Sequence, residues 1–181
     1  TSDNGSRGDH GASNGVLRGA KCSTWEGGQR VPCVMRWPGV TPEGVQCRAV
    51  ASQIDFLPTF ASLAGAAVPD DRMVDGRDMS ALIKNGAGEG RGEFRYYAAE
   101  TLEAIRIGEW KLHLYKDGAA VQALYHLPSD PGETTNLFSA RPDVVSSMLP
   151  AVEAARADLG CAGSGVVGKN VREIGRVAHG K

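Results

Sequence analysis

Hydrophobic and polar positions follow different periods along the chain, and each period predicts a different element. Residues 1 to 30 are crowded with Gly, Ser, Asn and Asp and carry neither a strand nor a helical repeat, which marks a long irregular segment. Loops of that length in compact domains are functional or disordered. The run Val31-Pro32-Cys33-Val34-Met35-Arg36-Trp37, closed by Pro38-Gly39, predicts a short buried strand with Pro32 tolerated at its first residues. From Gln53 to Ala64 the residues Ile54, Leu57, Phe60, Ala61, Leu63 and Ala64 recur at helical spacing, with Gly65 at the stop position. Pro58 fits only a first turn, which puts the helix start near Asp55, a residue able to cap it. A weaker helical piece runs from Met79 to Lys84 before the Gly-rich stretch 85–92.

The period then shortens. Phe94 to Ala98, Ala104 to Ile107, Trp110 to Tyr115 and Ala123 to Leu127 are aromatic or β-branched runs separated by turn signals, and Gly108-Glu109 has the form of a two-residue hairpin turn. A small antiparallel sheet follows. Between Pro142 and Leu159, the residues Val145, Met148, Leu149, Val152, Ala155 and Leu159 form one helical stripe ending at Gly160. Pro150 should bend that helix. The Gly-rich, basic tail from Cys161 to Lys181 predicts a surface loop or disorder.

Composition narrows the function classes. With 41% hydrophobic and 23% charged residues the chain is globular in character, and its formal charge of -1 gives no basic field for nucleic acid. No apolar run is long enough to cross a bilayer. The opening Thr-Ser-Asp-Asn-Gly, with no initiator Met, reads as a loop leaving an absent strand, so a truncated chain is expected. Cys22, Cys33, Cys47 and Cys161 form no C-x-x-C pair, which disfavours a zinc or redox motif and leaves disulfides open.

Two clusters carry candidate chemistry. Asp3-Asn4-Gly5 places a carboxylate beside an amide oxygen, donors suited to a hard divalent cation, although the tripeptide alone is more often a plain turn. The segment from Gly15 to Pro32 combines Arg18, Lys21 and Arg30 with Glu26 and four glycines. Such a loop can bring a Lys ammonium to a tetrahedral oxyanion. The bland alternative is a solvated basic loop with Glu26 paired to Arg30.

These segments resemble the sulfatase family. The resemblance runs through Thr1-Ser2-Asp3-Asn4-Gly5, Gly15-Val16-Leu17-Arg18-Gly19-Ala20-Lys21, Trp25-Glu26-Gly27-Gly28-Gln29-Arg30-Val31-Pro32 and Asp55-Phe56-Leu57-Pro58-Thr59. It continues through Asp75-Gly76-Arg77-Asp78, Gly108-Glu109-Trp110-Lys111-Leu112, Leu124-Tyr125-His126-Leu127, Asp130-Pro131-Gly132-Glu133 and Asn136-Leu137. It implies an α/β enzyme of the alkaline-phosphatase-like superfamily. Residues 1–90 would be the end of its mixed-sheet domain, 91–160 a small subdomain of antiparallel strands and one helix, and 161–181 a tail.

The resemblance further implies hydrolysis of a sulfated small molecule or carbohydrate by a formylglycine, with Ca2+ holding the sulfate. By motif position Asp3 and Asn4 match calcium ligands, and Lys21 matches the lysine that contacts the sulfate or the leaving oxygen. No cysteine here begins a Cys-x-Pro-x-Arg motif. The nucleophile and the remaining calcium ligands would therefore lie in an N-terminal part of the same polypeptide, and this chain alone would not catalyse. Cys22 stands where the family usually has Gly, and His126 where it usually has Asp; a structural role is expected for His126. His10 and His113 are further candidates for substrate contact, His113 because it alternates with Lys111 and Tyr115 on one strand face. Trp25, Trp37 and Trp110 read as packing aromatics. A phosphoesterase or phosphonate hydrolase of the same superfamily is the enzymatic rival, against which Trp-Glu-Gly-Gly favours a sulfatase, and a non-catalytic carbohydrate-binding module is the rival of another class.

Overall fold

A computed structural model describes residues 1–173. Its centre is a four-stranded antiparallel sheet in simple sequential order, β1 (Glu93–Ala98), β2 (Thr101–Ile107), β3 (Trp110–Lys116) and β4 (Ala119–His126). Tight turns set this order. Gly108 takes φ 56 between β2 and β3, and Asp117 and Gly118 take φ 51 and 81 between β3 and β4. The latter is an Asp-Gly turn whose twist matches the flanking strands. Register aligns Ile105 with Leu112 and Leu112 with Leu124 in one cross-strand row. The neighbouring rows, Arg106 to Lys111 to Tyr125 and Ala104 to His113 to Ala123, face the opposite side.

The Leu112 face is covered by the helix Pro142–Leu159. Leu102, Ile105, Leu112 and Leu124 meet Val145, Met148, Val152 and Ala155 in one buried cluster that also takes in Cys161. Pro142 opens the helix, where its missing N–H costs nothing, and the helix continues through Pro150. Cys161, expected in a surface tail, is buried and paired through a bridge to Val166, and the Ala162 N–H donates to the Glu100 carbonyl at the β1–β2 turn. Tail residues 174–181 lie outside the described residues.

Residues 1–90 hold three α-helices, two 3-10 turns and no strand: the α-helices are α1 (Glu26–Gln29), α2 (Phe56–Leu63) and α3 (Ser80–Asn85), which makes Pro142–Leu159 α4. The strand expected at Val31 to Trp37 is not formed. No described strand lies beside it to take up its backbone groups, and Val34 is 87% exposed. Asp55, expected to cap α2, turns its carboxylate elsewhere. It accepts the N–H groups of Ser52 and Arg77, both at 2.8 Å, and pairs with Arg91. Burial would raise its pKa, but the Arg91 guanidinium and these two N–H groups outweigh that and hold it below the usual carboxylate range. Thr59 ties α2 to α3 by donating to the Asp55 carbonyl and accepting the Met79 N–H. No described helix is long and apolar enough to cross a membrane.

Candidate functional site

The first thirty residues fold as two loops locked together by their backbones. Gly5 N–H donates to Gly28 O, and Lys21 N–H to Ser6 O, each at 3.0 Å, while Gly27 N–H closes on Arg18 O at 2.7 Å. Asn14 bridges the same loops, accepting Ser6 N–H and donating to Gly19 O. Three glycines permit this approach, since a Cβ on Gly5 would run into the Gly27 carbonyl, and one on Gly27 or Gly28 would strike the carbonyls of residues 17–23. Cys22 adopts φ 69, a left-handed conformation that explains why glycine suits this position. The lock brings the segment carrying Asp3 and Asn4 alongside the one carrying Lys21. Asp3 and Lys21 are exposed and Asn4 is half-buried.

The donor chemistry at Asp3 and Asn4 fits a hard cation. The Asn4 amide N–H donates to Asp3 Oδ2 at 2.5 Å, which orients both side chains and leaves Asn4 Oδ1 available beside the carboxylate. Calcium takes six to eight oxygens. Among the described residues no group of three or more His, Cys, Asp or Glu could hold a metal, so a cation held by this pair would need further ligands from elsewhere. His10 ends the 3-10 turn Gly8–His10, and its side chain lies outside the described part of the structure.

Behind the Lys21 loop lies a buried charge cluster. Lys111, on β3 and fully buried, donates to Thr24 O at 2.8 Å and to Glu26 Oε1 and Glu133 Oε1 at 3.0 Å, with its ammonium 4.0 Å from the Tyr96 ring centre. All three of its donors are thereby used. Tyr96 OH donates to Glu26 Oε1, Glu26 N–H donates to Glu133 Oε2 at 2.7 Å, and Arg18 donates to the Glu133 carbonyl while its guanidinium stacks on Trp25. Glu26 is thus not the exposed partner of Arg30. Burial would raise the Glu133 pKa, yet the bonds from His113, Glu26 N–H and Lys111 prevail and keep its carboxyl below the ordinary range. Burial pushes the Tyr96 phenol well above its usual range.

His113 belongs to this cluster and not to a substrate surface. Its face of β3 lies under the Trp25 ring, 4.3 Å between ring centres, and the side chain is fully buried with Nε2 bonded to Glu133 Oε1 at 2.9 Å. No solvent path reaches it for a direct contact with substrate. The alternation that grouped it with Tyr115 is broken by a register shift between the two, and Tyr115 packs on the α4 side. Burial lowers the His113 pKa, only partly offset by Glu133, which favours the neutral ring. His126 has a structural setting beside Trp110, near Ser129 and Glu109.

Sequence reasoning passed over Glu26, Lys111 and Glu133. The legible signal was Lys111 alternating with Leu112 in a strand whose two faces both needed cover: a lysine on a covered face requires buried acids. Such acids stand in Trp-Glu-Gly-Gly and Asp-Pro-Gly-Glu, far away in sequence.

This meander backed by one helix, carrying on its other face a glycine-locked loop with a lysine, is an architecture shared with a known family. Residues 20–156 match the family model described as N-sulphoglucosamine sulphohydrolase, C-terminal, and the chain belongs to this sulfatase family. It is 41% identical over 138 residues to the steryl-sulfatase of Rattus norvegicus, covering 75% of the chain and 23% of that relative. To the arylsulfatase A of Bos taurus it is 35% identical over 181 residues, covering 84% and 35%. Among solved structures, Ps i-CgsB in complex with k-i-k-neocarrahexaose superposes with a TM-score of 0.71 at 31% identity, covering 84% of this chain and 34% of that one. The chain therefore spans about a quarter to a third of the length of these proteins.

Proposed function

We propose that the chain forms the C-terminal portion of a calcium-dependent sulfatase hydrolysing sulfate esters of small molecules or carbohydrates, with the formylglycine nucleophile carried outside residues 1–181. The observation that supports this reading is the backbone lock of Gly5 to Gly28 and Ser6 to Lys21, which runs the segment carrying the Asp3 and Asn4 oxygens alongside the segment carrying the exposed Lys21. Asp3 and Asn4 contribute two ligands to the cation, whose charge, when bound, holds and polarises the sulfate group. Lys21 places a compact positive charge where negative charge develops as the ester S–O bond breaks. The family relation supports a sulfate ester over a phosphate ester, and relatives named for steryl and aryl sulfates, with a neighbour solved on k-i-k-neocarrahexaose, support a small-molecule or carbohydrate ester.

The test is hydrolysis of 4-nitrophenyl sulfate by the polypeptide that joins this chain to its formylglycine-bearing part, with calcium present. We expect turnover that stops on chelation, no turnover by residues 1–181 alone, and a loss in kcat of about 10²- to 10³-fold in Lys21→Ala, the size typical of removing an oxyanion-stabilising group. Cleavage of phosphate esters but not sulfates would overturn the substrate class. Cleavage of neither, with binding of carbohydrate retained, would make the chain part of a non-catalytic module.

A further inference from the structure

We propose that Lys111 is a positioning residue for Lys21: through Glu26, Glu133 and Thr24 the small sheet holds the loop in the arrangement that presents the Lys21 ammonium to the sulfate. The inference rests on the sulfatase reading above and extends it to a residue that never touches substrate, since Lys111 is fully buried.

Lys21 sits on an exposed loop, and its own backbone is held at one point, the bond to Ser6. The chain on its C-terminal side is fastened to the sheet and to the loop after β4, and on its N-terminal side to that same loop. On the C-terminal side, Lys111 grips the Thr24 carbonyl and the Glu26 carboxylate, Glu133 accepts the Glu26 N–H, and Lys116 reaches Thr24 Oγ1 at 3.1 Å while paired with Glu103 at 3.0 Å. On the N-terminal side, Arg18 donates to the Glu133 carbonyl and stacks on Trp25. Glu133 itself stands at φ 51, a strained conformation for a residue with a side chain, and it takes part in both fastenings, by its carboxylate on one side and its carbonyl on the other. The opposite face of the same sheet is filled by Leu, Val and Met. Burying ions costs desolvation that an apolar filling avoids, so charge at this face is better accounted for by the geometry it dictates than by stability. Displacement of a charge-stabilising group by about 1 Å is enough to cost roughly 10²-fold in rate.

The experiment is a double-mutant cycle in the calcium-loaded, formylglycine-bearing polypeptide that contains this chain, with kcat and KM read on 4-nitrophenyl sulfate. Lys111→Met, in protein that is folded by circular dichroism, is expected to lower kcat by about 10- to 100-fold with KM changed less than about threefold. In the Lys21→Ala background the same substitution should cost less than about threefold, because there is no ammonium left to misplace. Losses that multiply, or a folded Lys111→Met with wild-type kcat, overturn the proposal. Should Lys111→Met not fold, Glu26→Gln, which keeps size and acceptor oxygen, decides by the same cycle: coupling to Lys21→Ala supports the proposal and independence overturns it. A Lys21→Ala enzyme with wild-type kcat would remove the sulfatase assignment of Lys21 and the positioning role together, a pattern distinct from independent losses.

Discussion

His113 illustrates how much a single buried ring can report. It gives its Nε2 hydrogen to Glu133, while Nδ1 has no hydrogen-bond partner in the structure. Burial holds its pKa below 6.5, so between the native and unfolded values the unfolded chain binds the extra proton. Above about pH 6.5 the ring is neutral in both states and contributes no pH dependence. As pH falls below that value stability must fall, until the native ring also titrates. Thermal unfolding followed from pH 7 down to about 5.5 should thus show a declining midpoint that is flattened in His113→Gln, where the amide N–H can still reach Glu133. An equal slope in both proteins would mean that the ring takes up its proton alike in the native and unfolded states. Glu133 adds its own loss at lower pH, as its depressed carboxyl takes up a proton.

Among the elements, α2 depends on a residue outside itself. Asp55 is fully buried, and its partner Arg91 reaches it from the approach to β1. Arg91→Ala would leave that carboxylate with only the Ser52 and Arg77 N–H groups, and we expect a loss of about 3 kcal/mol in denaturant unfolding, at the low end for a broken buried pair because two bonds remain. A loss under about 0.5 kcal/mol would show that solvent replaces the guanidinium. The elements themselves were largely legible in the sequence. The Pro142 start, the Gly108-Glu109 turn and the stripe members Val145, Met148, Val152 and Ala155 depend on local period and local chemistry and lie where these signals put them, whereas Leu149 and Leu159, assigned to the same stripe, are exposed. Asp117-Gly118 carried an equally plain hairpin signal that was not read, so β4 begins at Ala119, ahead of the expected Ala123. The Val31 to Trp37 run misled because an apolar stretch specifies burial, not the neighbour with which a strand must pair. Of the site, Asp3, Asn4 and Lys21 were reachable through family motifs and remain assignments to be tested. The Glu26, Lys111 and Glu133 cluster joins residues up to 107 apart, a distance that no local pattern spans.

At the scale of the molecule, the two halves are covered unequally. The sheet has α4 on one side and the Trp25 loop on the other, whereas α2 and the 3-10 turn Gln53–Asp55 that leads into it leave Ile54, Leu57 and Phe60 each more than half exposed. Apolar side chains grouped on one helix seek cover. The 181-residue chain on its own should therefore self-associate with rising concentration in sedimentation, and the pair Leu57→Glu with Phe60→Glu should restore a monomer. A wild-type chain that stays monomeric at every concentration reached would count against this face being sticky. The glycine lock has a consequence at the same scale. Because Gly5 and Gly28 meet peptide to peptide, with no room for a Cβ at Gly5, the main-chain spacing between the Asp-Asn segment and the Lys21 segment is set without recourse to any side-chain rotamer. The backbone frame of the proposed site would then be a mould cast before its ligand arrives, not a hand that closes around it.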